Sequence, residues 1–484
     1  MQGEKRHEET SLKKKTFKGT IWSIVERFSV QFIQFAVMIV MARILTPADY
    51  GLVAMLAIFI AVSQSLVDSG FSQALIRKQD RSETDNCTVF FFNIVVGFGL
   101  YSVLFFCAPL IARFYNQPVL TPLMRVISLS VVVNSLVVVQ RALLTVKIDF
   151  KTQAKASLAA AVISGAVGIT MAYTGFGVWS IVWLHVSHIS VNTAALWLQS
   201  KWRPAWLYSW KSFRELFGFG SKLALSGLIN TLYANIFKLV IGKVFKASDL
   251  GFYTRAHGFA ELPSQTLTSV IQRVTYPALC TIQNDDARLS DVYRRFLRMT
   301  AFIIFPMMTI LGVLARPVIL TFLNEQWLFS ASLLPVICIA LMWYPIHAIN
   351  LNLLQVKGRS DLFLKLEIWK KVIGIVIMCA TIPFGLLAMC WGSVASNIIA
   401  LVINTHYTGR LIGIGFFTQM KDLLPVILQS AAMGAAVWLI SLALPPEWLK
   451  LVAGTLAGMA IYLLISRLSG SSDLRELLSL IKNK

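Results

Sequence analysis

Ala42-Arg43-Ile44-Leu45-Thr46-Pro47-Ala48-Asp49-Tyr50-Gly51 has a counterpart 200 residues further on, Gly242-Lys243-Val244-Phe245-Lys246-Ala247-Ser248-Asp249-Leu250-Gly251. Each stretch is a small residue, a basic residue, two apolar residues, a turn and then Asp-x-Gly. Each ends one apolar run and opens the next. An aspartate just ahead of a helix suits its N-cap, so Asp49 and Asp249 are read as caps and Gly51 and Gly251 as turn residues. Two more matches follow in order. Leu143-Leu144-Thr145-Val146-Lys147 resembles Leu353-Leu354-Gln355-Val356-Lys357, and Gly175-Phe176-Gly177-Val178 resembles Pro383-Phe384-Gly385-Leu386. Any one match could be chance, but three in order at equivalent boundaries point to a duplication.

The runs between these boundaries are apolar enough to fix the class. Hydrophobic residues make up 56% of the 484 and charged residues 14%, against about 25% charged in a soluble domain. Crossing ~30 Å of hydrocarbon takes ~20 such residues in a helix. Fourteen candidate spans lie near 18–42, 50–70, 88–112, 119–140, 155–174, 178–199, 217–242, 250–273, 299–322, 330–353, 364–382, 386–408, 423–444 and 448–466. Spans 1 and 8 are the most polar. Period-2 alternation is missing, which argues against a β-barrel. The repeat unit is six spans. An even number preserves orientation, so the halves are parallel repeats about an axis along the membrane normal, the plan of carriers that rock one lobe against the other. The expected fold is therefore all-α and integral to the membrane: about fourteen helices, with six-helix lobes at 17–200 and 217–410 and helices 13 and 14 in 411–466. A basic segment (1–16), an inter-lobe linker (201–216) and a tail (467–484) are expected in the cytoplasm.

The charge distribution supports that topology. Forty-four Lys and Arg stand against twenty-three Asp and Glu, a formal net charge of +21. With the N-terminus inside, thirty-three of the cations fall in inner loops and termini, six in outer loops and five within spans. This is the positive-inside pattern. It explains the basic excess by topology and leaves no need for nucleic acid. Both termini are expected on the cytoplasmic side of a bacterial inner membrane.

Several chemistries leave no trace. The chain contains no phosphate-binding G-x-x-x-x-G-K-[ST], no zinc signature and no G-x-S-x-G. Its outer loops are short, which counts against a membrane glycosyltransferase. The six cysteines include no C-x-x-C pair, and most sit in apolar runs. No metal, cofactor or disulfide is expected, and the first span lacks a small-residue cleavage site, so it is read as a retained helix.

Charges inside the bilayer cost ~2.5–3.5 kcal/mol each on insertion scales, so each one needs a reason. In span 1, Arg27, Gln31 and Gln34 share a helical face. Glu26 is adjacent to Arg27 but diverges from it by ~100°. The functional reading is a cationic stripe on a cavity; the blander one is an arginine snorkelling to headgroups. In span 7, Lys222 and Asn230 share a face with Ser226, and Lys238 lies near the far end, with the same pair of readings. Span 8 carries Arg255, His257, Glu261, Gln265 and Thr268, with Pro263 expected to kink it. Such a helix must line water or protein. His185 and His188 are read mainly as interhelical hydrogen-bonding groups, and Asn350, Asn397 and Asn404 as glue between helices. Asp68-Ser69-Gly70 is read as a turn and hinge, with Asp68 a lesser functional candidate. The cations in the spans outnumber the acids, so a cavity they line would attract an anion.

The combined motifs resemble a known family. Phe17-Lys18-Gly19-Thr20-Ile21-Trp22 with Glu26-Arg27-Phe28, then Ala42 to Gly51, then Asp68-Ser69-Gly70-Phe71 with Ala74-Leu75-Ile76, and further on Gln140-Arg141-Ala142-Leu143-Leu144 and Asp149-Phe150-Lys151, resemble the polysaccharide transporter family. That family belongs to the multidrug/oligosaccharidyl-lipid/polysaccharide exporter superfamily, and the resemblance is closest to colanic-acid-exporter-like Wzx flippases. It implies fourteen helices in two lobes. It also implies a cargo of undecaprenyl-pyrophosphate-linked oligosaccharide, flipped from the cytoplasmic to the periplasmic leaflet for surface or extracellular polysaccharide. By position it implies that Arg27 and Arg255 serve the pyrophosphate, in a cavity lined by helices 1, 2, 7 and 8. A coupling ion and polymerase or glycosyltransferase partners stay open. The competing readings are a cation-coupled multidrug antiporter of the same fold and a non-transporting scaffold for polysaccharide synthesis. The antiporter calls for acids deep in the cavity, and the chain offers few.

Overall fold

The computed structural model describes residues 2–68 and 70–482. Ser69 of the expected hinge, and the side chains of the basic segment 1–16, lie outside the described residues. The described residues form helices and turns, with no strand among them. Among the described residues, eleven helices are long and apolar enough to cross a membrane, twelve when the bent pair Leu120–Ser135 and Val138–Val146 counts as one span. This is a multi-pass, all-helical membrane protein.

The chain divides into two compact units, Met1–Gly251 and Phe252–Lys484. The first holds α1 (Gln2–Ile44), α2 (Pro47–Asp68), α3 (Phe71–Arg77), α4 (Glu83–Tyr115), α5 (Leu120–Ile127), α6 (Leu129–Ser135), α7 (Val138–Val146), α8 (Phe150–Tyr173), α9 (Val178–Gln199) and α10 (Trp210–Val244). Helix α11 (Ala247–Cys280) begins there and continues into the second unit. It is followed by α12 (Asp286–Val313), α13 (Ala315–Phe322), α14 (Leu328–Leu341), α15 (Tyr344–Val356), α16 (Ser360–Thr381), α17 (Leu386–Ile412), α18 (Phe416–Ala443), α19 (Glu447–Leu468) and α20 (Ser472–Lys482). Every expected span has helical residues at its place. Two of them, α11 and α16, fall short of the apolarity that marks the others as membrane-crossing. The cause in α11 is Arg255, His257 and Glu261, and in α16 it is Asp361, Lys365, Glu367, Lys370 and Lys371. Helix α11 runs unbroken through Pro263 and Pro277. Span 4, in contrast, is broken into α5, α6 and α7.

The duplication is visible in the backbone. Ahead of α2 the Thr46 amide donates to Asp49 Oδ2 at 2.9 Å, and ahead of α11 the Lys246 amide donates to Asp249 Oδ2 at 3.1 Å. Each aspartate stands at the third helical residue and reaches back to the N-cap amide. This corrects the sequence reading, which had the aspartates themselves as caps. Helices α7 and α15 end alike. Lys147 and Lys357 donate to Leu143 O and Leu353 O, and the next residue turns left-handed in both, Ile148 at φ +57° and Gly358 at φ +69°. Gly177 and Gly385, at the third match, also have positive φ (+55° and +93°) and open α9 and α17.

The Asp-x-Gly glycines, Gly51 and Gly251, are not turn residues as the sequence reading had them: both lie inside the opening stretches of α2 and α11, and what they serve is a close backbone approach. A Cβ on Gly51 would lie 1.7 Å from the Ala247 carbonyl oxygen, and one on Gly251 would lie 1.9 Å from that of Pro47. Residues 47 and 51 are the repeat counterparts of 247 and 251, so the two contacts are reciprocal. The first turns of α2 and α11 cross backbone to backbone, each glycine giving way to the other helix's carbonyl. A third close approach joins Gly70, at the α2–α3 break, to Gly220 of α10, where a Cβ on Gly70 would meet the Gly220 oxygen at 2.3 Å.

In the second unit a buried polar network ties four helices together. Tyr293 of α12 donates to Asn350 Oδ1 of α15 at 2.9 Å, and Gln419 of α18 donates to Tyr293 Oη and to Thr408 Oγ1 of α17 at 3.1 and 3.0 Å. Asn404 meets the His347 ring at 3.2 Å, whereas Asn397 bonds within its own helix to Ser393 O. Helix α20, in what the sequence reading left as a plain tail, is tied to α12 by Arg295–Glu476 and Arg298–Asp473.

Candidate functional site

The first unit packs α1 on α8 and α10 on α2. These are the least covered of the apolar spans, with 11% of the apolar window of α1 and 6% of that of α10 buried. They are also repeat counterparts. Both turn polar residues outward. On α1, Arg27 and Gln34 are exposed and Gln31 is half-buried, beside the exposed rings of Phe28 and Phe32. On α10, Lys222 and Asn230 are exposed and Lys238 is half-buried. Arg27, Lys222 and Lys238 make no hydrogen bond or ion pair among the described residues. A cation on an apolar, uncovered helix must meet water or an anion, because hydrocarbon would cost it several kcal/mol.

Glu26 goes the other way. Its Oε1 accepts from the Ser157 hydroxyl of α8 at 2.7 Å. It lines a cavity of about 280 Å³ inside the unit, with Asn134, Arg141, Gln153, Ser157, His188 and Asn192 among its walls. The helical turn between adjacent residues therefore sends the carboxylate into the unit and the guanidinium out of it. His188 meets Ser164 of α8 at 3.3 Å, the interhelical bond expected of it. Sequence reasoning missed this cavity and counted Arg141 only as a loop charge. The polar pairs Gln153/Ser157 and His188/Asn192, each at i,i+4, were the available signal.

The hinge candidates Asp68 and Gly70 flank the α2–α3 break. Asp68 Oδ1 accepts from Asn134 Nδ2 at 2.8 Å, and the Arg141 guanidinium acts on it electrostatically. Beyond the break, α3 is clasped by α10. Phe71 stacks on Phe213 with ring centroids 6.1 Å apart, Arg77 lies 4.5 Å over the Phe219 ring, and Lys78 pairs with Glu215 at 3.1 Å. Lys78 also pairs with buried Asp85 at 3.1 Å. Burial works against the Lys78 ammonium, but these two carboxylates outweigh it and raise its pKa above the ordinary lysine value.

In the second unit, His257 Nδ1 lies 3.2 Å from Glu261 Oε2, and Gln265 donates to Glu261 Oε1 at 2.5 Å. The three form one polar ridge on α11. Thr268 instead turns into the core and bonds Ser264 O. Arg255 is half-buried on the same helix.

The family model described as "Polysaccharide biosynthesis protein" matches residues 40–332. The lipopolysaccharide biosynthesis protein WzxC of Escherichia coli K12 is 25% identical over 420 residues, 86% of this chain and 82% of that one. The succinoglycan biosynthesis transport protein ExoT of Rhizobium meliloti is 24% identical over 472 residues, 95% and 94% of the two chains. Among solved structures, the lipid II flippase MurJ in an inward closed conformation superposes with a TM-score of 0.76 at 16% identity, covering 95% of this chain and all of that one. That likeness shows a shared fold.

Proposed function

We propose that this chain, which belongs to the polysaccharide biosynthesis protein family, is a carrier of the bacterial inner membrane that flips undecaprenyl-pyrophosphate-linked oligosaccharide from the cytoplasmic to the periplasmic leaflet by alternating access. The observation that carries the reading is the set of unpartnered cations on α1 and α10, the two uncovered spans. An anionic headgroup is the cargo such faces suit; a cationic drug is not. The names of WzxC and ExoT, and the flippase fold of MurJ, point the same way. In this reading Arg27 and Arg255 hold the pyrophosphate, Lys222 and Lys238 assist, and Gln31, Gln34 and Asn230 meet the sugars. The protein binds and moves its cargo and makes or breaks no covalent bond. Both termini lie in the cytoplasm, a placement supported by the strong bias of Lys and Arg to one set of loops, and fourteen spans complete the fold.

The test is the leaflet in which lipid-linked oligosaccharide collects after depletion of the protein. Accumulation on the cytoplasmic face, shielded from an external sugar-modifying probe, supports flipping. Unchanged lipid-linked sugar with altered efflux of small cations favours the antiporter. Arg27→Ala and Arg255→Ala are each expected to abolish polymer export while the protein still reaches the membrane. Export at the parent level with either substitution removes the pyrophosphate-site assignment.

A further inference from the structure

The cavity inside the first unit has no part in holding the pyrophosphate, yet its wall is rich in groups that can bind. Its volume is about 280 Å³. Small-molecule pockets begin at ~300 Å³, so it has room for one sugar ring and not for a chain of them. Five helices meet on it, with Glu26 from α1, Asn134 from α6, Arg141 from α7, Gln153 from α8 and Asn192 from α9. A relay crosses the wall. Asn192 donates to Ser157 Oγ at 3.5 Å, and Ser157 donates to Glu26 Oε1 at 2.7 Å. Much hydrogen-bonding capacity is left over. Among the described residues, Glu26 Oε2, Asn192 Oδ1 and Gln153 Oε1 accept no bond, and the Arg141 guanidinium donates none.

These groups exclude the simpler ligands. An anion would meet Glu26, and a cation would meet Arg141. An apolar molecule would leave the wall unpaired, at about 1–3 kcal/mol for each buried group. A hydroxyl both donates and accepts. A ring of hydroxyls can therefore satisfy a carboxylate, a guanidinium and amides together, with no net charge of its own.

We propose that this cavity is a sugar-reading pocket: it takes in one uncharged ring of the cargo, the ring joined to the pyrophosphate, and so sets which lipid-linked oligosaccharides the carrier accepts. The proposal rests on the carrier reading. The choice of ring follows from α1. Arg27, assigned to the pyrophosphate, directly follows Glu26, and adjacent Cα atoms are ~3.8 Å apart. Their side chains leave the helix ~100° apart, one outward and one to the cavity. A pyrophosphate at Arg27 therefore has its first sugar nearest to Glu26. A site that hydrogen-bonds a hydroxyl rejects an analogue lacking it far more strongly than an apolar slot rejects a missing methylene. The pocket thus discriminates by which hydroxyls the ring carries.

The test is thiol protection in inverted membrane vesicles holding the full chain, in a background without the six native cysteines. Ile189→Cys puts a thiol on the cavity wall and spares the polar groups. Gln34→Cys reports the outward stripe of α1, and Ser102→Cys, exposed on α4, is the control. Labelling by N-ethylmaleimide is compared before and after nucleotide sugars are supplied, from which the vesicles build lipid-linked oligosaccharide on their exposed cytoplasmic face. Position 189 is expected to label severalfold more slowly in charged vesicles. It is expected to regain its speed when Asn192→Leu is added, and to stay fast when the first sugar transfer to the lipid is inhibited. Position 102 is expected not to change. Protection at 34 without protection at 189 overturns the pocket and leaves the carrier reading standing. No protection at either position overturns both. Protection at 189 that survives the inhibitor comes from a free sugar or nucleotide sugar and overturns the link to the cargo. Protection indifferent to Asn192→Leu reports helix movement rather than an occupant, and a thiol at 189 that never labels shows that nothing enters; each overturns the proposal. Should Ile189→Cys fail to reach the membrane, Leu196→Cys on the same wall replaces it.

Discussion

Substituting Gly51 by Ala tests the backbone crossing that the duplication builds. The added Cβ would sit 1.7 Å from the Ala247 oxygen and 2.5 Å from its carbonyl carbon. An ordinary carbon–oxygen contact needs about 3.3 Å, so the helices must part by about 1.6 Å. The obstacle is main chain, which has no rotamer to escape through. Overpacking of this kind costs about 1–3 kcal/mol, and a rigid obstacle places it near the upper end, about 3. Alanine in a helix is itself favoured over glycine by about 1 kcal/mol, leaving a net loss of about 2 kcal/mol. Gly251→Ala meets the Pro47 oxygen at 1.9 Å and is expected to cost the same. The double variant is expected to cost less than the sum, because helices already parted by one methyl partly accommodate the other. The measurement is denaturant or thermal unfolding of the purified protein in detergent, with Gly99→Ala as control. A Cβ on Gly99 meets nothing within 4 Å, so that change should be neutral or slightly stabilising. Stabilisation by Gly51→Ala to the same degree as by Gly99→Ala, or strict additivity in the double variant, would refute the reasoning.

Ile148 holds a left-handed backbone (φ +57°) where its repeat counterpart is Gly358. Because that conformation costs a β-branched residue about 1–2 kcal/mol, Ile148→Gly is expected to raise unfolding stability by about 1 kcal/mol after its lost side-chain contacts; a loss of stability counts against the strain. Gln419→Leu removes the centre of the network joining Tyr293, Asn350 and Thr408. With buried partners left short of a bond it should cost about 2–3 kcal/mol, measured by the same unfolding, and a neutral result would mean that water replaces the amide. The Lys78–Glu215 pair is partly exposed, so a double-mutant cycle should give at most about 1 kcal/mol, shrinking in high salt. Its pH sign follows from the raised Lys78 pKa: the contribution is complete below the ordinary lysine value and is lost only as pH rises through the raised one. A cycle energy that falls away near neutral pH contradicts this.

Much of the frame was legible because its signals are periodic or local. Long apolar runs set the helices, and three short matches set the duplication. The outward stripe of Arg27, Gln31 and Gln34 followed from spacing along one helix. What escaped depends on partners far away in sequence. Glu26 was placed with the stripe's chemistry, yet its destination was decided by Ser157 and a cavity assembled from α1, α6, α7, α8 and α9. Asp49 and Asp249 were placed at the right turns, but their reach back to the preceding amide could not be told from an N-cap without knowing where the helix begins. Span 8 was seen to be polar; span 11 also falls short of apolarity, because Lys365, Glu367, Lys370 and Lys371 lie within its helix, and the three lysines had been counted with an inner loop.

The two repeats have kept different things. Backbone devices persist in register: the reaching aspartates at 49 and 249, the yielding glycines at 51 and 251, the left-handed residues at 148 and 358 and at 177 and 385. Even where the residue type has changed, from glycine to isoleucine, the φ angle has not. The outward side chains have diverged instead. Gly227 occupies on α10 the place that Arg27 holds on α1, while Lys222 has Trp22 as its counterpart. Helix ends must fit a fixed number of residues between two membrane surfaces, and a change there costs the whole lobe. An outward residue answers only to what it touches. The cargo proposed here is itself unequal, with an anionic pyrophosphate at one end and uncharged or variable sugar at the other. A frame that repeats and faces that do not are what such a molecule would select, because its two ends call for different partners.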